Sequence, residues 1–457
     1  MNRVRNRAWI MMVFIVVLVG GLCFFLFEYA AYSQNWMRYK GSGNAFSGTS
    51  GIRGSIVDRD GEMLLELSDQ RSYADDKLLR QSTLHWLGDV QGNIQPGLQS
   101  QYSSAMSGFD KINGTYAYGD GTGRMELTIS ARVQKAALKA LNGRKGTVAV
   151  YNYKTGQILC AVTAPTFDPD NVPDIAGDTT GMYEGVYLNR FVQSTYPPGS
   201  IFKIVTTAAA LDRLEGAEDL TFTCTGVYEF GVDKVTCESV HGTNNLKNAF
   251  ARSCNCAFAQ LAQLLGKDTL EEYVDKFRLR DSLSFDGMTT AKGNFDISDA
   301  AAVELAWSAI GQYTDMVNPA RFLKFVGDIA SGGSGAVPYI VEEVQVGRKT
   351  TYQAKTSREE SVLSGKTAQL IGEYMRNNVV NIYGSGHFPG LTVCAKSGTS
   401  ELGGGKTPNA MFTGFVSDEE YPLAFIVVVE NGGYGSHTCV PILSAVLAEC
   451  KALLDGK

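Results

Sequence analysis

Histidine is scarce in this chain: four residues in 457, at positions 85, 241, 387 and 437. They are widely scattered and no Gly-x-Ser-x-Gly occurs, so the signature of a Ser-His-Asp hydrolase is missing. Positive charge is short as well, with 41 Lys and Arg against 47 Asp and Glu and a net charge of −6. Three of those positives, Arg3, Arg5 and Arg7, precede the first apolar run, and the remainder sums to −6 − 3 = −9. An acidic remainder argues against nucleic acid as a partner. Nine cysteines, one of them (Cys23) in that apolar run, are too few for a disulfide scaffold in so long a chain. A phosphate loop is missing too. "SGKT" at Ser364 and "GGGKT" at Gly403 carry Glu360 and Ser400 where the motif needs its first glycine. The chain has no internal repeat and no low-complexity tract.

What is present begins with "AWIMMVFIVVLVGGLCFFLF", Ala8 to Phe27. About twenty apolar residues span about 30 Å as a helix, enough to cross a bilayer. The exit "FFLFEYAAY" is bulky where a signal-peptidase site needs small residues, so a retained anchor is expected over a cleaved signal. Arg3, Arg5 and Arg7, with no further basic residue until Arg38, place residues 1–7 in the cytoplasm and everything after Glu28 outside the cell.

Beyond the anchor, residues 39–52 are rich in Gly and Ser and read as a linker. "RGSIVDRDGEMLLEL" reads as a hairpin with Asp58 and Asp60 in its turn, and 66–126 as small and irregular. The spacing then sharpens. "SARVQKAALKAL" predicts a helix capped by Ser130, with Val133, Ala136, Ala137 and Leu141 on one face. "GTVAVYNYKTGQILCAV" predicts a hairpin, "AMFTGFV" and "YPLAFIVVVE" two buried strands, and the stretch from about Pro441 to Leu454 a last helix. The expected fold is α+β: a central sheet covered by helices, with an all-helical middle. The expected division is anchor 8–27, linker and membrane-proximal domain 28–126, and main domain 127–457.

Chemistry enters at "YPPGSIFKIVTTAAAL", residues 196–211. A rigid Pro-Pro-Gly loop leads into a helix whose first turn holds Ser200, where unpaired N–H groups favour negative charge. Lys203 lies one turn on, next to Ser200 and among apolar residues. Burial disfavours an ammonium, and a lysine lowered roughly three units from about 10.4 becomes a base near neutrality. A Ser-x-x-Lys alone is weak, since a lysine can reach the surface along its stem. Two further stretches strengthen it. "ARSCNCAFAQLAQLLG" puts Ser253 and Asn255 two apart at a helix start, and "LTVCAKSGTSE" puts Lys396, Ser397, Gly398 and Thr399 at the end of an extended run. There a glycine admits a second backbone.

Ser-x-x-Lys, Ser-x-Asn and Lys-Ser-Gly in this order are together very specific to the serine penicillin-recognising enzymes. The chain resembles the class B penicillin-binding proteins, monofunctional peptidoglycan transpeptidases, from the anchor through "RGSIVDRDG" to the last helix. "GTVAVYNYKTGQILCAVTAPTFDP", "AIGQ" at Ala309 and "VPYIV" at Val337 also fit. The resemblance implies the penicillin-binding transpeptidase fold, with Ser200 as the acylated nucleophile and Lys203 as its base. Ser253 would relay a proton to the leaving group, and Asn255 would bind the substrate amide. Lys396 would hold Lys203 neutral and attract the substrate carboxylate, which Ser397 and Thr399 would hydrogen-bond. The N–H groups of Ser200 and Thr399 would form an oxyanion hole. The implied substrates are peptidoglycan stem peptides and β-lactam antibiotics, and the implied partner is a separate membrane glycan polymerase. No cofactor is expected. Met411 departs from the family, which often has Trp there, and the membrane-proximal part is short.

Two other functions compete. A D,D-carboxypeptidase or β-lactamase would use the same nucleophile with water, but the anchor and "RGSIVDRDG" speak against it. A non-catalytic scaffold need not keep Ser200, Lys203 and Lys396. Cys224 and Cys237 flank a predicted hairpin and could pair. With His241, Cys254 and Cys256 they form a loose cluster that matches no compact zinc spacing. A disulfide, or reduced thiols, is the expectation, with no metal assigned.

Overall fold

The computed structural model describes residues 2–36, 53–68, 71–95, 97–107 and 122–456. The Gly/Ser-rich linker at 39–52 lies outside them. The first helix, Asn2–Trp36, contains a span, Arg3–Ser33, long and apolar enough to cross a membrane (mean hydropathy 3.0).

The centre of the main domain is a five-stranded antiparallel sheet. Its order is Val393–Ser400, Asn409–Val416, Leu423–Val429, Gly146–Asn152 and Ile158–Ala164. Pleating sends alternate residues to opposite faces, and each face has its own core. Val148, Val150, Phe412, Phe425 and Val427 meet the helices Ala131–Leu141 and Gly435–Leu454. Ala149, Tyr151, Met411, Ile426 and Val428 face the other way. That face is covered by Pro319–Ala330 and Gly365–Asn378, with Lys203–Arg213 packed on the latter and Asn255–Lys276 packed on Lys203–Arg213. Both faces being buried explains why the strands read as continuous apolar runs rather than alternating ones. Gly435–Leu454 is also long and apolar enough to cross a membrane, but its apolar side packs on the sheet.

Several expectations need correction. The last helix begins at Gly435, six residues before Pro441, which sits inside it. Gly435 N–H donates to Thr399 Oγ1 (3.2 Å), so the helix start is set by a tertiary contact. Ser130 occupies the N-cap position of Ala131–Leu141 but makes no capping bond. Asp58 makes it instead, accepting from Ala131 N–H (2.8 Å) while also holding its own turn through Asp60 and Glu62 N–H. The 66–126 stretch is not wholly irregular: Asp76 caps a helix, Lys77–Leu87, whose Leu84, Trp86 and Leu87 are buried. The middle is not purely helical, for it carries the small strand pairs Thr221–Cys224 with Gly242–Asn245 and Val227–Phe230 with Asp233–Thr236.

A second sheet has six strands. The hairpin Arg53–Val57 and Met63–Leu67 lies beside Thr122–Leu127, which in turn pairs with Val341–Val346 and, beyond it, Lys349–Gln353. A boundary at 126/127 therefore falls within a strand. The chain leaves this sheet after Leu127, returns to it at 341–353, and then goes back to the central sheet for 393–429 and the last helix.

Candidate active site

Gly199–Phe202 forms a 3₁₀ turn that runs directly into the Lys203–Arg213 helix, so Ser200 sits in the tight first turn. Arg190 and Tyr196 fix the preceding loop by donating to the same Glu430 oxygen (2.7 and 2.8 Å). Gly199 has φ of 52°, and a Cβ there would stand 2.6 Å from Thr399 O. A Cβ on Gly398 would stand 2.9 Å from Pro198 O and 3.0 Å from Ile201 Cγ2. The nucleophile's turn and the Val393–Ser400 strand thus touch backbone to backbone, which only glycine permits.

Ser253 links the helix Leu246–Ala251 to Asn255–Lys276. Its backbone is left-handed, φ 52°, a conformation that costs a non-glycine residue about 1–2 kcal/mol. The twist delivers its hydroxyl between two lysines: Ser253 Oγ is 3.1 Å from Lys203 Nζ and 3.0 Å from Lys396 Nζ. Lys203 and Lys396 are both fully buried.

Lys203 Nζ has four oxygen neighbours. Ser253 O (2.7 Å) and Asn255 Oδ1 (2.8 Å) can only accept, and Ser200 Oγ (3.0 Å) and Ser253 Oγ are hydroxyls. A neutral amine has two N–H groups and one lone pair. The two carbonyls take both N–H groups, which leaves the lone pair for a hydroxyl proton. Burial lowers Lys203 to about 8. Burial, then the neighbouring Lys203 charge, holds Lys396 well below the usual lysine range. Two buried ammoniums around one hydroxyl are excluded near neutrality, so the pair carries at most one proton.

The remaining site residues differ from expectation in what holds them. Asn255 has both ends engaged, Oδ1 with Lys203 and one Nδ2 N–H donating to Thr236 O (2.9 Å), while the side chain lines the cleft. Ser397 Oγ is 2.9 Å from Tyr383 Oη, which also accepts from Ser397 N–H (2.9 Å). Thr399 O accepts from Gln312 Nε2 (3.3 Å). Tyr383 was invisible in the sequence, and Gln312 showed only as part of "AIGQ". Met411 lies in the core, 1% exposed, and leaves the cleft wall to Trp307, Tyr383 and Tyr434. The cleft above Ser200, Ser253, Asn255, Ser397 and Thr399 has a volume of about 750 Å³.

No disulfide joins Cys224 and Cys237. Both sulfurs face the His241 ring instead.

These elements match known proteins along most of their length. A family model described as the penicillin binding protein transpeptidase domain fits residues 146–448. The chain is 31% identical over 365 residues to the peptidoglycan D,D-transpeptidase PbpA of Mycolicibacterium smegmatis, covering 73% of each. It is 27% identical to stage V sporulation protein D of Bacillus subtilis, covering 91% of this chain and 64% of that one. Among solved structures, the D,D-transpeptidase domain of a peptidoglycan glycosyltransferase from Eggerthella lenta superposes with a TM-score of 0.76 at 25% identity, over 89% of this chain and all of that one. Penicillin-binding protein A of M. tuberculosis, as its ceftriaxone acyl-enzyme, superposes at 0.75 and 24%, over 87% and 98%. Three motifs converging in one cleft, on a sheet and helices these proteins share, place the chain in the penicillin-binding protein transpeptidase family, on its class B branch.

Proposed function

We infer that the chain is a peptidoglycan D,D-transpeptidase that cross-links stem peptides through an acyl-enzyme on Ser200. The observation that carries the reading is Lys203 Nζ, fully buried and 3.0 Å from Ser200 Oγ, with Ser253 O and Asn255 Oδ1 placed to take its N–H groups. Ser200 Oγ attacks the carbonyl carbon of the penultimate D-alanine as its proton passes to Lys203. The N–H groups of Ser200 and Thr399 receive the oxyanion, each strong donor being worth roughly 3–4 kcal/mol. Collapse breaks the peptide bond, and the departing D-alanine amine takes a proton through Ser253. An acceptor amine then attacks the ester, gives up a proton along the same path and releases Ser200.

The lysine pair gives substrate a part in this. In the free protein the shared proton favours Lys203, which has the richer set of acceptors. A substrate carboxylate arriving near Lys396, Ser397 and Thr399 stabilises the charge on Lys396 instead. Ser253, in contact with both amines, passes the proton across, and Lys203 becomes a free base when substrate is present. The Val393–Ser400 strand lies at the sheet edge, where an extended peptide can add.

The N-terminal helix anchors the protein, with Arg3, Arg5 and Arg7 in the cytoplasm and 28–126 acting as a pedestal for 127–457 outside. A membrane glycan polymerase would supply the strands. Fluorescent penicillin with intact-mass detection tests the reading: stable label on wild type and none on Ser200→Ala is expected. Equal labelling of both removes Ser200 as nucleophile, rapid loss of label indicates a hydrolase, and no label on wild type indicates a scaffold. Alkaline phosphatase fused at the C-terminus should be active, and an inactive fusion would reverse the orientation.

A further inference from the structure

Cys224, Cys237, His241 and Cys254 bring one ligand atom each within 4.8 Å of one another. We propose that these four side chains form a closed zinc site that clamps the Val227–Thr236 hairpin onto the Ser253–Asn255 turn.

The sequence reads Cys-x12-Cys-x3-His-x12-Cys, too spread for a familiar finger, and the fold is what gathers it. Cys224 ends a strand whose partner, Gly242–Asn245, starts one residue after His241. Cys237 follows the hairpin, and Cys254 is the N-cap of Asn255–Lys276. Four ligands on a tetrahedral zinc, at about 2.3 Å for sulfur and about 2.0 Å for nitrogen, stand roughly 3.6–3.8 Å apart. Here Cys224 Sγ and Cys237 Sγ are 3.6 and 3.3 Å from His241 Nδ1, and Cys237 Sγ is 4.0 Å from Cys254 Sγ. A disulfide needs about 2.05 Å between sulfurs and leaves an imidazole no role. Three sulfurs and one imidazole suit zinc over harder cations. His241 Nε2 meets Ser239 Oγ at 3.1 Å, an outer contact that fixes the ring. All four positions are filled by protein, so the site is structural. Zn²⁺ binding releases the thiol protons to solvent.

Its effect follows from what it joins. A two-stranded hairpin is marginal alone, and this one buries only Val235 fully. Thr236 and Cys237 nevertheless line the cleft, and Thr236 O holds Asn255. Cys254 adjoins Ser253, whose left-handed backbone places the hydroxyl between the lysines. Metal at Cys237 and Cys254 would fasten the cleft wall and the strained turn to one point without touching Ser200.

The full chain, purified in detergent under reducing conditions without added metal, should contain about one zinc per chain by elemental analysis. Cobalt exchange should give thiolate-to-metal absorption bands, a readout on wild type that does not depend on a ligand variant folding. Stripping zinc should slow penicillin acylation about tenfold or more, with recovery on zinc addition. Cys224→Ser should lower the zinc content. Substoichiometric zinc with no cobalt spectrum overturns the site, as does a denatured count of seven thiols instead of nine with Cys224 and Cys237 bridged. Zinc present but acylation unchanged on its removal overturns the clamp. The metal count stands apart from the acyl-transfer reading, on which only the acylation arm rests.

Discussion

A lysine in an apolar stretch is a question about protons, and the site answers it with hydrogen-bond arithmetic. Lys203 is depressed to about 8, so its neutral fraction, and with it acylation, should rise with pH and level off above about 8. The sign follows from the base needing its lone pair: below that pH the proton occupies it. Lys396→Ala removes the amine that takes up the shared proton when a substrate carboxylate binds, so Lys203 stays protonated, the inflection should move to higher pH and the rate at neutrality should fall, by a factor in the general-base range of about 10²–10⁴ at most. Stopped-flow acylation between pH 6 and 10 checks both, and an unmoved inflection would detach Lys396 from the titration. At this scale much was legible. Ser200, Lys203, Ser253, Lys396 and Thr399 all face one cleft or its buried floor, because motif spacing encodes which turn a residue occupies. Tyr383 was not legible: its contact with Ser397 joins residues fourteen apart through a helix end and a strand, and no local pattern marks it.

At the scale of elements, the contact between the Gly199–Phe202 turn and the Val393–Ser400 strand is the most demanding in the site. Gly398→Ala would put a methyl 2.9 Å from Pro198 O and 3.2 Å from Ile201 N. The strand must back away, at a cost of about 1–3 kcal/mol, and Thr399 N–H moves with it. Acylation should drop tenfold or more, about the effect of misplacing one oxyanion donor by a fraction of an ångström, with the circular dichroism spectrum unchanged. An acylation rate equal to wild type would mean that the strand yields freely. Strands and hairpins were legible from their apolar runs and turn residues. Helix limits were less so. The expected last helix runs from about Pro441, yet the helix starts at Gly435, where the docking of Gly435 against Thr399 decides the matter.

For the whole molecule, Asp58 is the bolt between the 53–67 hairpin and the Ala131–Leu141 helix. It is 1% exposed and accepts from its own turn and from the Ala131–Leu141 helix. Asp58→Ala should destabilise the protein by about 1–2 kcal/mol, lowering the melting temperature with little change in acylation at 25 °C. A melting temperature equal to wild type would show the cap to be dispensable. The division into domains was the least legible feature, since nothing local in "VEEVQV" says which sheet it will join. That strand also imposes an order in time. Thr122–Leu127 pairs on one side with Arg53–Val57 and on the other with Val341–Val346. While the protein is being made, its second side stays open for 341 − 127 = 214 residues of further synthesis. At roughly 5–20 residues per second that is on the order of ten to forty seconds with an exposed strand edge, a template for wrong partners. Nascent chains displaying residues up to 335 should be cut by protease within Thr122–Leu127, and chains displaying residues up to 360 should resist there. The strand that completes this sheet is a late arrival, and the newborn protein needs shelter until it comes.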